Sequence, residues 1–132
     1  MQLAPTLRTT LAAAIVTDLG STAFLRLYSS GFAVQVATAA LSNPPFVAGA
    51  AGVVDLDVTP AVEDASPLAG TVVRLGIYLN STDTSALWRV LMGVNPSGSP
   101  DITMSNNVVV TTDVIQVASL SITVPAGTPD VT

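Results

Sequence analysis

Gly70-Thr-Val-Val-Arg-Leu-Gly-Ile-Tyr-Leu-Asn80-Ser-Thr-Asp-Thr-Ser-Ala-Leu-Trp-Arg-Val-Leu-Met-Gly93 is the stretch on which the fold reading turns. Two apolar runs flank a polar loop, Asn80 to Ser85, and both alternate with period two. In the first run Val73, Leu75, Ile77 and Leu79 share one face, and Arg74, Gly76, Tyr78 and Asn80 the other. In the second, Trp88, Val90 and Met92 oppose Leu87, Arg89 and Leu91. Strand side chains alternate between faces, so the pattern predicts a half-buried antiparallel hairpin with Trp88 inward and an arginine on the less buried face of each strand.

Upstream, residues 5–19 read as the one helix. Leu7, Leu11, Ile15 and Leu19 recur every four residues, with Leu3 one step earlier, and predict the buried stripe. Pro5 suits a first turn, Gly20 suits the left-handed residue that ends a helix, and Asp18 opposes the helix dipole. Residues 22–29 and 33–41 then alternate as strands, with Phe24, Arg26 and Tyr28 on one face. There Phe24 and Tyr28 are either a covered core edge, the commoner case, or an exposed pair for stacking on a sugar or a neighbouring subunit. Ser42-Asn-Pro-Pro45 stops the second, because proline cannot donate to a ladder. Residues 46–52 read as irregular, anchored by Phe46.

Residues 53–59 form a third strand with Val54, Leu56 and Val58 inward and Asp55 and Asp57 outward. Residues 60–67 read as an acidic connection. Beyond the hairpin, 95–100 is a loop, 101–110 one strand or two interrupted at Asn106-Asn107, and 114–124 the last strand. Its alternation slips near Val117-Ala118, which predicts a bulge or bend. Six to eight short strands preceded by one helix exclude parallel βαβ units. The expected fold is all-β: a single antiparallel β-sandwich or barrel with one N-terminal α-helix. Residues 1–20 pack on the domain or on a neighbour, and 21–132 form the β-sandwich domain.

Composition narrows the function. At 132 residues one domain can bury roughly 65–70% of its unfolded surface. Charged residues are 10% and hydrophobic ones 49%, too apolar for disorder and short of charge for the surface of a free monomer. A homo-oligomer is the expectation. Four arginines and no lysine, against nine carboxylates, give a net charge of −5 and no basic stripe for nucleic acid. With neither cysteine nor histidine, thiol chemistry, zinc ribbons and the commonest general base are excluded. No apolar run approaches the ~20 residues that span a bilayer, so no membrane partner is expected. Leu11 to Val16 is too short for a signal peptide, so a mature, cytoplasmically made chain is expected.

Few residues suggest chemistry. Asp55 and Asp57 sit at i and i+2, roughly 6.5–7 Å apart on one strand face, the loose spacing of an inverting glycosidase pair. A solvated strand face, pairing with Arg26, Arg74 or Arg89 across the sheet, is the expected account of them. Glu63-Asp64 could offer oxygens to calcium but lacks the spacing of a calcium loop. Asn80-Ser-Thr82 matches a glycosylation sequon. The expected site assignment is therefore catalytic none, cofactor none, metal none, and not an enzyme.

Several segments together resemble a known family: Leu7-Arg-Thr-Thr-Leu-Ala-Ala-Ala-Ile15, Leu25-Arg-Leu-Tyr-Ser-Ser-Gly31, Pro44-Pro-Phe-Val-Ala-Gly-Ala-Ala-Gly52, Gly70-Thr-Val-Val-Arg74, Asp101-Ile-Thr103 and Val117-Ala-Ser-Leu-Ser-Ile-Thr-Val-Pro-Ala-Gly127. In that order they are similar to a group of small virion structural proteins of tailed bacteriophages. The chain departs from the family at Gly93-Val-Asn-Pro. The resemblance implies a β-sandwich located in the virion, without catalytic residues or cofactors. Its implied partners are other virion proteins: the major capsid protein, or neck or tail proteins. A capsid decoration or cement role is the favoured expectation, since a compact single domain with a helix available for clamping suits it. The alternatives are a neck or tail-fibre component, including a carbohydrate-binding adhesin module, and then a glycan-cleaving enzyme.

Overall fold

A computed structural model describes residues 1–94, 102 and 104–127 of the chain. Its first element, α1 (Pro5–Leu19), has the predicted bounds: proline opens it, and Gly20 at φ +65° closes it. The buried stripe is rotated from the expected one. Ala12 and Leu19 are buried, with Ile15 and Val16 packed beside them, whereas Leu7 and Leu11 are 46% and 38% exposed. A strict four-residue repeat advances about 40° beyond a full turn at each step, so the leucines wind around the helix. Only their C-terminal members reach the core. Arg8 takes the inward place instead, its Nε donating to the Val124 carbonyl at 3.0 Å. The helix can come this close because residue 52 is glycine. At φ +82°, a Cβ there would lie 2.9 Å from Arg8 Cβ.

Eleven short strands follow among the described residues: β1 (Phe24–Tyr28), β2 (Gln35–Ala40), β3 (Phe46–Ala48), β4 (Val53–Leu56), β5 (Val62–Asp64), β6 (Gly70–Thr71), β7 (Arg74–Tyr78), β8 (Val90–Gly93), β9 (Val108–Val109), β10 (Ile115–Val117) and β11 (Ser121–Thr123). They form four antiparallel sheets, ordered β2-β1-β7-β8, β3-β4-β11, β5-β10 and β6-β9. The fold is mostly β with one N-terminal helix, and none of these sheets closes into a barrel.

The core lies on one face of the four-stranded sheet. Leu25 pairs with Ile77 and Leu27 with Leu75, and Ala37, Ala39 and Met92 extend the layer across neighbouring strands. Phe46, Val54, Leu56 and Val62 join the same cluster, as do Ala12 and Leu19 of α1. The predicted hairpin is present as β7 and β8, and its register sets the expected inward residues together, Leu75 opposite Met92 and Ile77 opposite Val90.

Two expected loops contain strands. Residues 46–52 hold β3, which pairs Phe46 with Leu56, and 60–67 hold β5, which pairs with β10. Three residues are too few for alternation to be read; long-range partners make these strands. Val58, expected inward, is 36% exposed because β4 ends at Leu56. The slip near Val117-Ala118 is a real break: β10 joins β5 and β11 joins β4. The loop expected at 95–100 and the start of the strand expected at 101–110 lie outside the described residues; Ile102 bridges to Val94.

Candidate functional site

The outer face of the four-stranded sheet carries the most unusual side-chain arrangement. The β1–β7 register sets Phe24 opposite Tyr78, Arg26 opposite Gly76 and Tyr28 opposite Arg74. This face was expected to be the less buried one, yet Tyr28, Tyr78 and Arg26 are all buried, Arg26 at 5% exposure. Residues 79–89 fold back over Arg26 and Tyr78, and Phe32 packs on Tyr28. Arg26 Nη1 donates to the Asp83 carbonyl at 2.5 Å and Nη2 to the Ser81 carbonyl at 2.7 Å. Its guanidinium lies 4.4 Å from the Tyr78 ring centroid, a cation–π distance.

The row continues across the sheet. Tyr78 and Tyr28 meet edge to face at 6.2 Å, Tyr28 and Phe32 at 5.0 Å, and Arg74 lies 4.9 Å over Phe32. Gly76 makes room for this stack, since a Cβ there would sit 2.7 Å from the Tyr78 ring. The Tyr78 hydroxyl donates to the Ser85 carbonyl at 3.0 Å, and Asp83 accepts the Leu79 N–H at 3.0 Å. Burial, then the hydrogen bond and charge of Tyr28, push the Tyr78 phenol far above its ordinary range, outweighing the opposite pull of Arg26. Both terminal nitrogens of Arg26 and the Tyr78 phenol thus donate to loop backbone. The cluster fixes a loop; it does not present a reactive group.

What the loop presents is apolar. Leu87 is 54% and Trp88 43% exposed, beside a hollow of about 270 Å³ bordered by Leu79, Asp83, Ala86 and Arg89. Trp88, expected inward, leaves the sheet because the β7–β8 ladder ends at Ile77–Val90, and Arg89 N–H turns to the Ile77 carbonyl at 2.7 Å. Phe24, Tyr28, Tyr78 and Trp88 consequently form no common exposed platform. A larger hollow of about 480 Å³ has a floor of Leu27 and Leu75 and a rim that includes Met104, Asn106, Asp113 and Gln116.

The carboxylates singled out in the sequence serve backbone and neighbours. Asp55 accepts the Ser121 hydroxyl across the β4–β11 pair, while Asp57 lies past the strand end and accepts the Thr59 N–H at 2.9 Å. Among the described residues the two do not flank a cleft and no arginine pairs with either; Arg89 instead lies 3.6 Å from Asp18. Asp64 accepts the N–H groups of Thr38 and Ser66 at 2.9 and 2.8 Å, sealing the outer edge of β2. Glu63 lies beside it on β5, opposite Gln116. Among the described residues no three metal-ligating side chains converge. Asn80 of the sequon accepts from the Thr82 N–H and hydroxyl.

Arg26 is the residue that sequence reasoning undervalued. Its signal was a lone cation inside the apolar strand Phe24-Leu-Arg-Leu-Tyr28. Comparison with known proteins finds no match to a family model, to a curated protein or to a solved structure.

Proposed function

We propose that this chain is a structural subunit of a tailed-phage virion, a β-sandwich that decorates or cements the capsid shell by binding copies of itself and the major capsid protein, without enzymatic activity. The observation that carries the reading is the placement of large apolar side chains on the outside of a fold that has a separate buried core. Leu7 and Leu11 on α1, Val47 on β3, and Leu87 and Trp88 on a braced loop are all exposed and stand apart from the buried cluster. A chain with 10% charged residues has little else with which to keep such positions in water. Sheets sharing one core suit the sandwich description, and the resemblance of residues 7–15, 25–31 and 117–127 to virion proteins gives the context. The test is the copy number relative to the major capsid protein in purified particles. A ratio near the shell stoichiometry is expected; a few copies per particle refutes the cement role and moves the protein to the neck or tail.

A second reading is favoured by Trp88 alone. A half-exposed indole beside Asp83 and Arg89 is the arrangement on which a sugar ring stacks, as a tail-fibre adhesin module would require. A reproducible glycan-array signal abolished by Trp88→Ala would establish it in place of the cement role.

A further inference from the structure

We infer that the exposed face of α1 is the contact through which two copies of this chain pair, with their helices antiparallel. The inference rests on the homo-oligomeric part of the reading above and specifies its surface.

The helix is apolar on two sides. Ala12, Ile15, Val16 and Leu19 face the core, while Leu7, Leu11, Ala14 and Asp18 fall within about 60° of one another on an exposed stripe. An apolar stripe on a helix ordinarily faces a packed surface, and this one, beside the threonines Thr6, Thr10 and Thr17, is uncovered. From Pro5 to Thr17 the sole charged residue is Arg8, which is turned inward onto Val124. The hydroxyls beside the stripe are already satisfied: Thr10 donates to Thr6 and Thr17 to Ala13, each at 3.1 Å. Covering this face therefore strands no hydroxyl donor, and its one charge, Asp18, keeps Arg89 at 3.6 Å as a partner.

Charge complementarity selects a second copy and its direction. The N-terminus of α1 has no side-chain cap and no acid in its first turn, and Asp18 sits at the opposite end, where it opposes its own helix dipole. An antiparallel pair brings each Asp18 to the uncapped, electropositive end of its partner. In that register Leu7 lies against Ala14, a large residue against a small one, and the two Leu11 side chains meet at the twofold axis. The helix is only about 22 Å long, short of the ~800 Å² per partner of a standard interface. Leu87 and Trp88 extend the contact, because Arg89 ties their loop to Asp18.

The chain has no cysteine, which makes cross-linking clean. Sedimentation of the full chain from about 1 µM to about 500 µM is expected to show a dimer. Leu11→Glu, at an exposed position, is expected to give a monomer with an unchanged circular dichroism spectrum. Asp18→Asn is expected to weaken pairing roughly 3- to 30-fold, two dipole contacts being lost. Leu11→Cys is expected to oxidise to a disulfide dimer, since facing residues at the axis come within bonding reach; Thr9→Cys, on another side of the helix, is not. A wild-type monomer throughout would overturn both this inference and the oligomeric reading. An oligomer indifferent to Leu11→Glu, or one that cross-links at Thr9 and not at Leu11, would overturn this inference alone.

Discussion

Replacing Arg26 with alanine should detach the loop 79–89 from the sheet. The guanidinium supplies hydrogen bonds to the Ser81 and Asp83 carbonyls and lies on the Tyr78 ring. Leaving two such acceptors buried without donors costs about 1–3 kcal/mol each. A hydrogen bond to a charged group is worth about 1.5–3 kcal/mol net, with the cost of desolvating the guanidinium already counted. The loop can limit the damage by lifting off and letting water reach its carbonyls, and lifting uncovers Tyr78, now 0% exposed. Exposing ~120 Å² of ring surface costs about 3 kcal/mol at ~25 cal/mol per Å². The expected loss is therefore about 3 kcal/mol, or roughly 10–15 °C in Tm for a domain of this size. Arg26→Lys keeps the charge but reaches one carbonyl at a time, and should lose about half as much. Urea unfolding gives the stability, and hydrogen exchange of residues 79–89 reports whether the loop opens. If Arg26→Ala costs under ~1 kcal/mol and those amides stay protected, the arginine is not the brace and the reasoning fails.

Two further predictions concern the same stack. Gly76→Ala should destabilise by about 1–3 kcal/mol, because the new Cβ meets the buried Tyr78 ring at 2.7 Å; strand propensity alone gives the opposite sign, so a neutral or stabilising result in urea refutes the packing account. Tyr78 should stay protonated in the folded state beyond the ordinary phenol value of about 10. A phenol raised on folding contributes stability that is complete below that value and is lost above it, as the unfolded chain releases its proton first. Unfolding free energy should therefore fall as pH rises past ~10, and less steeply in Tyr78→Phe; equal slopes would refute the burial.

By itself the sequence determined everything that depends on neighbours along the chain. Pro5 and Gly20 set the ends of α1, because proline lacks the N–H that a first turn does not use and glycine takes positive φ at no cost. Alternation over Arg74–Tyr78 and Val90–Gly93 set which residues of the hairpin share a face, because strand side chains change face at every residue. Tertiary structure decided what those faces meet. Whether Leu7 or Arg8 turns inward depends on Gly52 and Val124, more than forty residues distant. Strands β3 and β5 are three residues long and owe their conformation to β4 and β10. The outer face of β1 and β7 looked the less buried one because alternation reports polarity, and a cation followed by tyrosines is polar on that scale. Only the return of residues 79–89 over that face, giving Arg26 its two carbonyls, turned it into a second interior and left Leu87 and Trp88 on the outside.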